Sequence, residues 1–403
     1  MAYNRKQRLN DNIKAIETAF ILDREQRTPT ARERLLLERY CGFGGLKCIL
    51  NPARELADAV HWAKSDLELF APTVELHRLI RENSKNESEY KQLMDSLKQS
   101  VLTAFYTPSA ITEALTDVLK EHQIIPEKVL EPSAGIGAFV DSVLDNNPKA
   151  DIMAFEKDLL TGKILRHLHP EQKVRIEGFE KIEKPFNDYF DLAISNIPFG
   201  DVAVFDPSYT AMKGMRALVT RRIHNYFFVK ALDTVRDGGL VAFITSQGVL
   251  NAKNNSAARF MMLYHADLVS AIRLPNNLFT ENANTEVGSD LIILQKNSQK
   301  ESLRGDDNLL DTVYNDENRI PTNNYFLEHP ERIIHTTAKL DTDPFGKPAM
   351  IYTHEDGVEG IAEDLRKMLH EDFKKNLNLN RYLGIEETKA EEVKEVEETE
   401  KIE

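Results

Sequence analysis

Val129-Leu-Glu-Pro-Ser-Ala-Gly-Ile-Gly-Ala-Phe139 is a short apolar run that ends in a glycine-bearing turn and resumes as an amphipathic segment. That order predicts a strand at Lys128–Glu131, a tight turn carrying Gly135 and Gly137, and a helix at Ala138–Leu144. Glycines in a strand-to-helix turn let the backbone approach a ligand closely and present amides at a helix N-terminus. A lone Gly-x-Gly turn is more often structural than a binding site, so the surrounding pattern has to decide.

Outward from the turn, short apolar runs alternate with helical stretches from about residue 103 to 296. The further strands are predicted at Asp151–Phe155, Lys173–Glu177, Phe190–Ser195, Leu240–Thr245, Leu268–Leu274 and Asp290–Gln295. Helices are predicted at Ser109–Glu121, Leu159–His167, Ile223–Val235 and Ser256–His265. The alternation reads as an α/β fold with one Rossmann-like, seven-stranded sheet.

Two more features fall at strand ends. Glu156 follows the second strand, 21 residues after Gly135, where an acid can accept the ribose hydroxyls of a nucleoside cofactor. The fourth strand runs into Asn196-Ile197-Pro198-Phe199-Gly200, at the sheet edge where open α/β folds bind ligands. One Glu after a strand reads as a solvated loop residue, and Pro-Phe-Gly is a common turn. The glycine turn, the acid and the Asn together point to a site.

The order of Thr103-Ala-Phe-Tyr-Thr-Pro108, Leu130-Glu-Pro-Ser-Ala-Gly-Ile-Gly137, Glu156 and Asn196-Ile-Pro-Phe199 resembles the γ-class N6-adenine DNA methyltransferases, over about residues 100–296. The resemblance implies a methyltransferase sheet, S-adenosyl-L-methionine as cofactor, DNA as partner and site-specific adenine methylation as the activity. By position, Tyr106, Thr107 and Pro108 would close over the methionine end of the cofactor. Glu131, Pro132, Ser133, Ala134, Gly135 and Gly137 would form the loop beneath it, with Glu156 on the ribose. The Glu177-Gly-Phe179-Glu180 turn would border the cofactor adenine, with either Glu177 or Glu180 standing where the family usually has Asp. The expected catalytic residues are Asn196, Ile197, Pro198 and Phe199, with no metal.

The chemistry behind that assignment is specific. The adenine amine is a poor nucleophile because its lone pair is delocalised into the ring. Two acceptors on its N–H bonds, the Asn196 side-chain oxygen and the Ile197 carbonyl, would favour a pyramidal nitrogen whose lone pair faces the sulfonium methyl. Only the carbonyl of Ile197 is required, so Ile can stand where Pro is more usual, while Pro198 stiffens the turn. Phe199 would stack on a base flipped out of the duplex, at a cost of a few kcal/mol offset by roughly 1–3 kcal/mol of stacking. Methyl transfer would then be direct, helped mainly by alignment. Lys213, Arg216, Arg221 and Arg222, beside this loop, read either as an ordinary solvated loop or, as their position favours, as a basic strip that would hold flanking phosphates.

Residues 1–100 read as a helical N-terminal region, interrupted by Cys41-Gly-Phe-Gly-Gly45, a tight connection rather than a phosphate cradle. The expected organisation is residues 1–100 helical, 101–298 the methyltransferase domain, 299–385 an irregular C-terminal extension with a helix, and 386–403 an acidic, disordered tail. Tyr40-Cys-Gly-Phe-Gly-Gly-Leu46 and Thr342-Asp-Pro-Phe-Gly-Lys-Pro348 also resemble the large methylase–helicase proteins of bacterial mobile elements. A helicase or a specificity subunit is therefore a candidate partner. No Gly-x-x-x-x-Gly-Lys-Ser/Thr motif occurs in the 403 residues.

The net charge of −14 excludes a coat or histone-like nucleic-acid binder by composition. Nine Glu against three Lys after residue 385 account for −6 of it. Cys41 and Cys48 support neither a disulfide framework nor a zinc cluster, and no apolar run is long enough to span a bilayer. A cytoplasmic protein without membrane contact is expected. Two other readings remain. Glutamine N5 methylation of a protein needs the same two acceptors, although such enzymes show Asn-Pro-Pro-Tyr, and the Tyr-Thr-Pro element and Phe199 favour DNA. A non-catalytic DNA- or cofactor-binding module of a larger methylase–helicase or anti-restriction system is the other, because no target-recognition domain stands out.

Overall fold

The computed structural model describes residues 4–385 apart from 104–105, 213, 281–285, 304–306, 315–318 and 344–345. The acidic tail, Lys213 and the Ala-Phe pair at 104–105 therefore lie outside the described residues. Four helices come first: α1 (Arg5–Glu25), α2 (Ala31–Glu38), α3 (Phe70–Glu82) and α4 (Glu87–Thr103). Asn4 caps α1, and Thr30 with Glu33 forms a capping box on α2, so both starts satisfy backbone amides that would otherwise lack partners. Leu9, Ile13, Ile16 and Phe20 recur at helical spacing on the buried face of α1. The glycine-rich segment after Tyr40 is a helix connection, as its lack of a preceding strand predicted. Buried Asn12 holds it, donating to Gly42 O at 2.6 Å and accepting from Cys41 N at 2.9 Å.

The central sheet has seven strands in the order β3-β2-β1-β4-β5-β7-β6, and only β7 runs antiparallel to its neighbours. They are β1 (Lys128–Glu131), β2 (Asp151–Phe155), β3 (Lys173–Arg175), β4 (Phe190–Asn196), β5 (Val235–Ser246), β6 (Ala266–Leu274) and β7 (Ser289–Lys296). Between them come α5 (Ser109–Glu121), α6 (Ala138–Asn146), α7 (Leu159–Leu168), α8 (Pro207–Thr210), α9 (Met215–Val219), α10 (Ile223–Thr234), α11 (Gly248–Asn251) and α12 (Ser256–His265). The seven predicted strands are the seven of this sheet, each within two residues at its ends apart from the start of the fifth. The third stops at Arg175 rather than Glu177. The fifth begins at Val235, because Val235 already pairs with Phe190 of β4, and Arg236-Asp237-Gly238-Gly239, which reads as a turn, is an irregularity in the register before Leu240 pairs with Leu192.

A mostly parallel sheet is covered on both faces, and the strand residues divide by period two. Val129, Leu192, Ile194, Ala242 and Ile244 pack with α5 and α6 on one side. Leu130, Ala193, Val241 and Phe243 pack with α10 and α12 on the other.

The segment expected to be an irregular extension is more ordered than its polar composition suggests. It holds two antiparallel pairs, β8 (Thr312–Tyr314) with β9 (Pro321–Asn323) and β10 (Thr337–Thr342) with β11 (Pro348–Thr353). A short helix, α13 (Asn324–Glu328), lies between the pairs, and α14 (Gly357–Asn376) and α15 (Leu379–Leu383) follow them. The helix expected in this segment is α14, and its Ile361, Leu365, Leu369 and Phe373 join the core under β6 and α5. The N-terminal helices likewise pack on the domain, sharing a cluster with Leu160, Ile164 and Leu168 of α7.

Candidate functional site

The chain leaves β1 toward β2 and β3 on one side and returns to β4 and β5 on the other. A crevice opens at such a reversal, outside the carboxyl ends of the two central strands. The β1–β4 register pairs Leu130 with Ala193, so the loop after Glu131 and the end of β4 come side by side. Ser195 Oγ donates to Ser133 O at 3.0 Å and fastens one to the other.

The glycine loop is built from backbone bonds. Ala134 N donates to Phe155 O, Gly137 N to Ala134 O, and Gly135 N to Glu156 Oε2, each at 2.8 Å. Gly135 and Gly137 both have positive φ, +57° and +93°. A Cβ on Gly135 would lie 2.8 Å from the Tyr106 ring, and one on Gly137 would lie 2.5 Å from His169 Nε2. Both positions therefore require glycine on conformational and steric grounds. Tyr106 thus lies over the loop it was expected to flank, and Pro108 caps α5. Thr107 and Pro132 are buried beside them.

Burial raises both acids of the site. Glu156 accepts a second amide, Asp158 N, at 2.7 Å, and burial, with Asp158 nearby, pushes its carboxyl up to about 8. Glu131 is fully enclosed, and burial raises its carboxyl well above the ordinary value, with Asp141 and Glu156 adding to the effect. Glu131 Oε2 and Thr107 Oγ1 have no hydrogen-bond partner among the described residues. Buried acceptors and hydroxyls in that state call for a polar ligand. The glycine loop, an acid at the end of β2 and these two atoms fit a nucleoside bearing a charged amino-acid end.

Asn196 is the last residue of β4, opposite Ile244. Ile197 N donates to Ile244 O at 3.0 Å, and its side chain is 1% exposed in the core. The Ile side chain is thus an anchor, and the backbone carbonyl is what this position can offer a ligand. Pro198 and Phe199 follow, half-buried, with the Phe199 ring edge-on to Phe279 at 6.3 Å.

Other expected residues are placed differently. Phe179 is 1% exposed in an aromatic cluster with Phe155, Tyr226 and Phe227. Beside it, Glu177 is taken by Arg175 at 2.5 Å. Arg216 forms a two-pronged pair with Asp233 at 2.5 and 2.9 Å, so it staples α9 to α10 rather than facing out. Arg222 pairs with Asp201 at 3.0 Å. Among the described residues Arg221 keeps its guanidinium uncommitted.

Sequence reasoning missed the support that the N-terminal helices give this site. Thr161 Oγ1 lies 3.3 Å from Tyr40 OH and 3.5 Å from Tyr106 OH, so a residue before the domain shares the hydroxyl that positions Tyr106. Ser96 Oγ donates to Asp158 Oδ2 at 2.5 Å, and Asp158 caps α7. His169 sits under Gly137, its imidazole pushed down to about 4 by burial and by Arg34. These partners are far apart in the chain, and no local motif marks them.

A protein-family model described as N-6 DNA methylase matches residues 88–391. The chain is 29% identical over 201 residues to Defense against restriction protein B of Escherichia phage P1, covering 48% of this chain and 8% of that protein. It is 25% identical over 173 residues to the type II methyltransferase M.XamI of Xanthomonas campestris pv. amaranthicola, covering 40% of this chain and 33% of that one. These alignments thus span a third or less of either relative. Among solved structures, the methyltransferase subunit of a type I restriction-modification system from Streptococcus thermophilus is similar with TM-score 0.41 at 12% identity, covering 93% of this chain and 94% of that one.

Proposed function

The chain belongs to the N-6 DNA methylase family, and from that premise we propose that it methylates the N6 amine of adenine in DNA at the Asn196 loop. S-adenosyl-L-methionine is the methyl donor, and it supplies an electrophilic methyl group on a sulfonium. Tyr106, Thr107, Glu131 and the loop through Gly137 would hold its amino-acid end, and Glu156 its ribose hydroxyls.

Asn196 Oδ1 and the Ile197 carbonyl would accept the two N–H bonds of the target amine and keep its lone pair out of the ring. Phe199 would cover the flipped base. The observation that carries the reading is the adjacency of Asn196-Ile-Pro-Phe199 to the glycine loop, which Ser195 fastens at the switch point. Transfer would be direct, so alignment supplies most of the acceleration. The test is labelled-methyl transfer to unmethylated DNA by wild type and Asn196→Ala. Loss of about 100-fold or more with unchanged cofactor affinity is expected, the scale of removing one acceptor used in the transition state. Equal incorporation by both proteins would sink the reading, and labelling of a glutamine-bearing protein instead of DNA would replace it.

The similarity to the phage defence protein favours a second reading of the biological role. The methylase would act within an anti-restriction system, with a helicase or specificity subunit as further partner. Protection of DNA from a restriction enzyme by catalytically dead Asn196→Ala would favour a binding module over a modifying enzyme.

A further inference from the structure

A cleft of about 480 Å³ opens just beyond the Asn196 loop, between α9, the start of α10 and the start of α12. One wall is Asp201, two residues after Phe199, so the two Cα atoms are at most about 7 Å apart. That puts one wall of the cleft within about one nucleotide's length of the Asn196 loop.

Its lining is a network of amides. Arg222 Nη1 donates to Asn254 Oδ1 at 2.6 Å and to Asn255 Oδ1 at 2.8 Å, while its Nε faces Asp201. Asn225 Nδ2 donates to the same Asn255 oxygen at 2.9 Å, and Asn255 Nδ2 donates to Gly248 O at 2.7 Å. Arg222 thereby neutralises Asp201 and fixes the amides, leaving two groups unanswered. Arg221, on the lining, has no hydrogen bond or ion pair from its side chain among the described residues. Asn225 is 4% exposed, and its Oδ1 has no hydrogen-bond partner among the described residues. A buried amide oxygen without a donor costs about 1–3 kcal/mol, which an N–H reaching it from the cleft would recover.

A ligand suited to this lining would bring an anion for Arg221, an N–H donor for Asn225 and an apolar face for Leu218 and Ala258. A simple anion meets only the first condition, and Asn225 Oδ1 would disfavour it. A nucleotide meets all three, through its phosphate, its base edge and its ring face. Amide side chains are also the groups that read base edges, and the volume falls within the range of small-ligand sites.

We propose that this cleft is a second nucleotide subsite, holding a nucleotide of the DNA strand that flanks the base in the Asn196 loop. The assignment rests on the DNA reading above and adds a place where neighbouring sequence can be sensed. Two sources share the chemistry, a nucleotide within a strand and a free one.

The test measures binding by the full chain with S-adenosylhomocysteine present, so that turnover is not required. Fluorescence anisotropy of a short labelled single strand is compared for wild type, Arg221→Ala and Asn225→Ala, with competition by deoxynucleoside 5′-monophosphates. Each substitution should weaken strand binding by about tenfold, and Arg221→Ala alone should flatten the salt slope by about one contact. Affinity for S-adenosylhomocysteine should stay within about twofold, which separates lost contact from lost fold; Arg221→Ala, on the surface, decides if the Asn225 variant unfolds. Monophosphate affinity that falls in the same variants assigns the cleft to a single nucleotide. Strand affinity falling alone assigns it to a nucleotide within a strand. Wild-type affinity of both variants for strand and monophosphate would overturn the proposal. Methyl transfer by the same preparations distinguishes the two failures. Variants that methylate and bind as wild type refute the subsite alone, and a wild type that binds through the cleft without methylating refutes the reaction alone.

Discussion

Glu156 shows how one residue ties fold to chemistry. Its carboxyl orders the glycine loop by accepting Gly135 N, yet burial raises it to about 8. Ribose hydroxyls donate to the ionised form, so cofactor binding must be coupled to loss of a proton. Affinity for S-adenosylhomocysteine is therefore expected to rise with pH through about 8 and level off above it. Calorimetry across that range should show the rise in wild type and its absence in Glu156→Gln, which should also bind about tenfold more weakly, the scale of one charge-assisted hydrogen bond. A pH-independent wild type would remove Glu156 from the ribose. The residues around it were legible because they sit in contiguous motifs whose glycines and acids have few alternatives at a strand end. Asn225 and Asn255 were not, since they become neighbours only when α10 and α12 pack.

At the scale of elements, the sheet was readable because buried parallel strands are short, continuous apolar runs. Where the run is broken by Asp237-Gly238-Gly239, the strand was read as starting too late. Helix α14 is legible as a helical stretch, but the burial of Ile361, Leu365, Leu369 and Phe373 under the sheet depends on contacts with β6 and α5 across the chain. The same holds for the N-terminal helices. Asp23 of α1 accepts from His167 at 2.9 Å and Arg166 at 3.1 Å, and also from Lys163. Burial alone would raise that carboxyl, but the bonds from His167 and Lys163 hold it well below the usual range. A carboxyl lowered in the folded state adds stability above its unfolded value and loses it as pH falls toward the folded one. Asp23→Ala should thus lower stability at neutral pH by about 1–3 kcal/mol, with the difference from wild type shrinking in acid. Denaturant unfolding at both pH values measures it, and an undiminished difference in acid would contradict the ion-pair account.

For the whole molecule, the charge of −14 at first counts against DNA. The structure narrows the basic surface further, because Asp233 occupies Arg216 and Asp201 faces Arg222. With few free cations near the loop, the chain alone should hold DNA weakly, and binding should fall steeply with salt. Tight binding that ignores salt in a titration would contradict this. Among the described residues no helix is long and apolar enough to cross a membrane, and no group of three or more His, Cys, Asp or Glu could hold a metal. The central claim is the identity of the methylated atom. DNA incubated with the protein and isotope-labelled S-adenosylmethionine, digested to nucleosides and read by mass spectrometry, should carry the label on N6-methyladenine for wild type and lose it for Asn196→Ala. Label on cytosine, or on no nucleoside from a protein that binds the cofactor, would contradict the account.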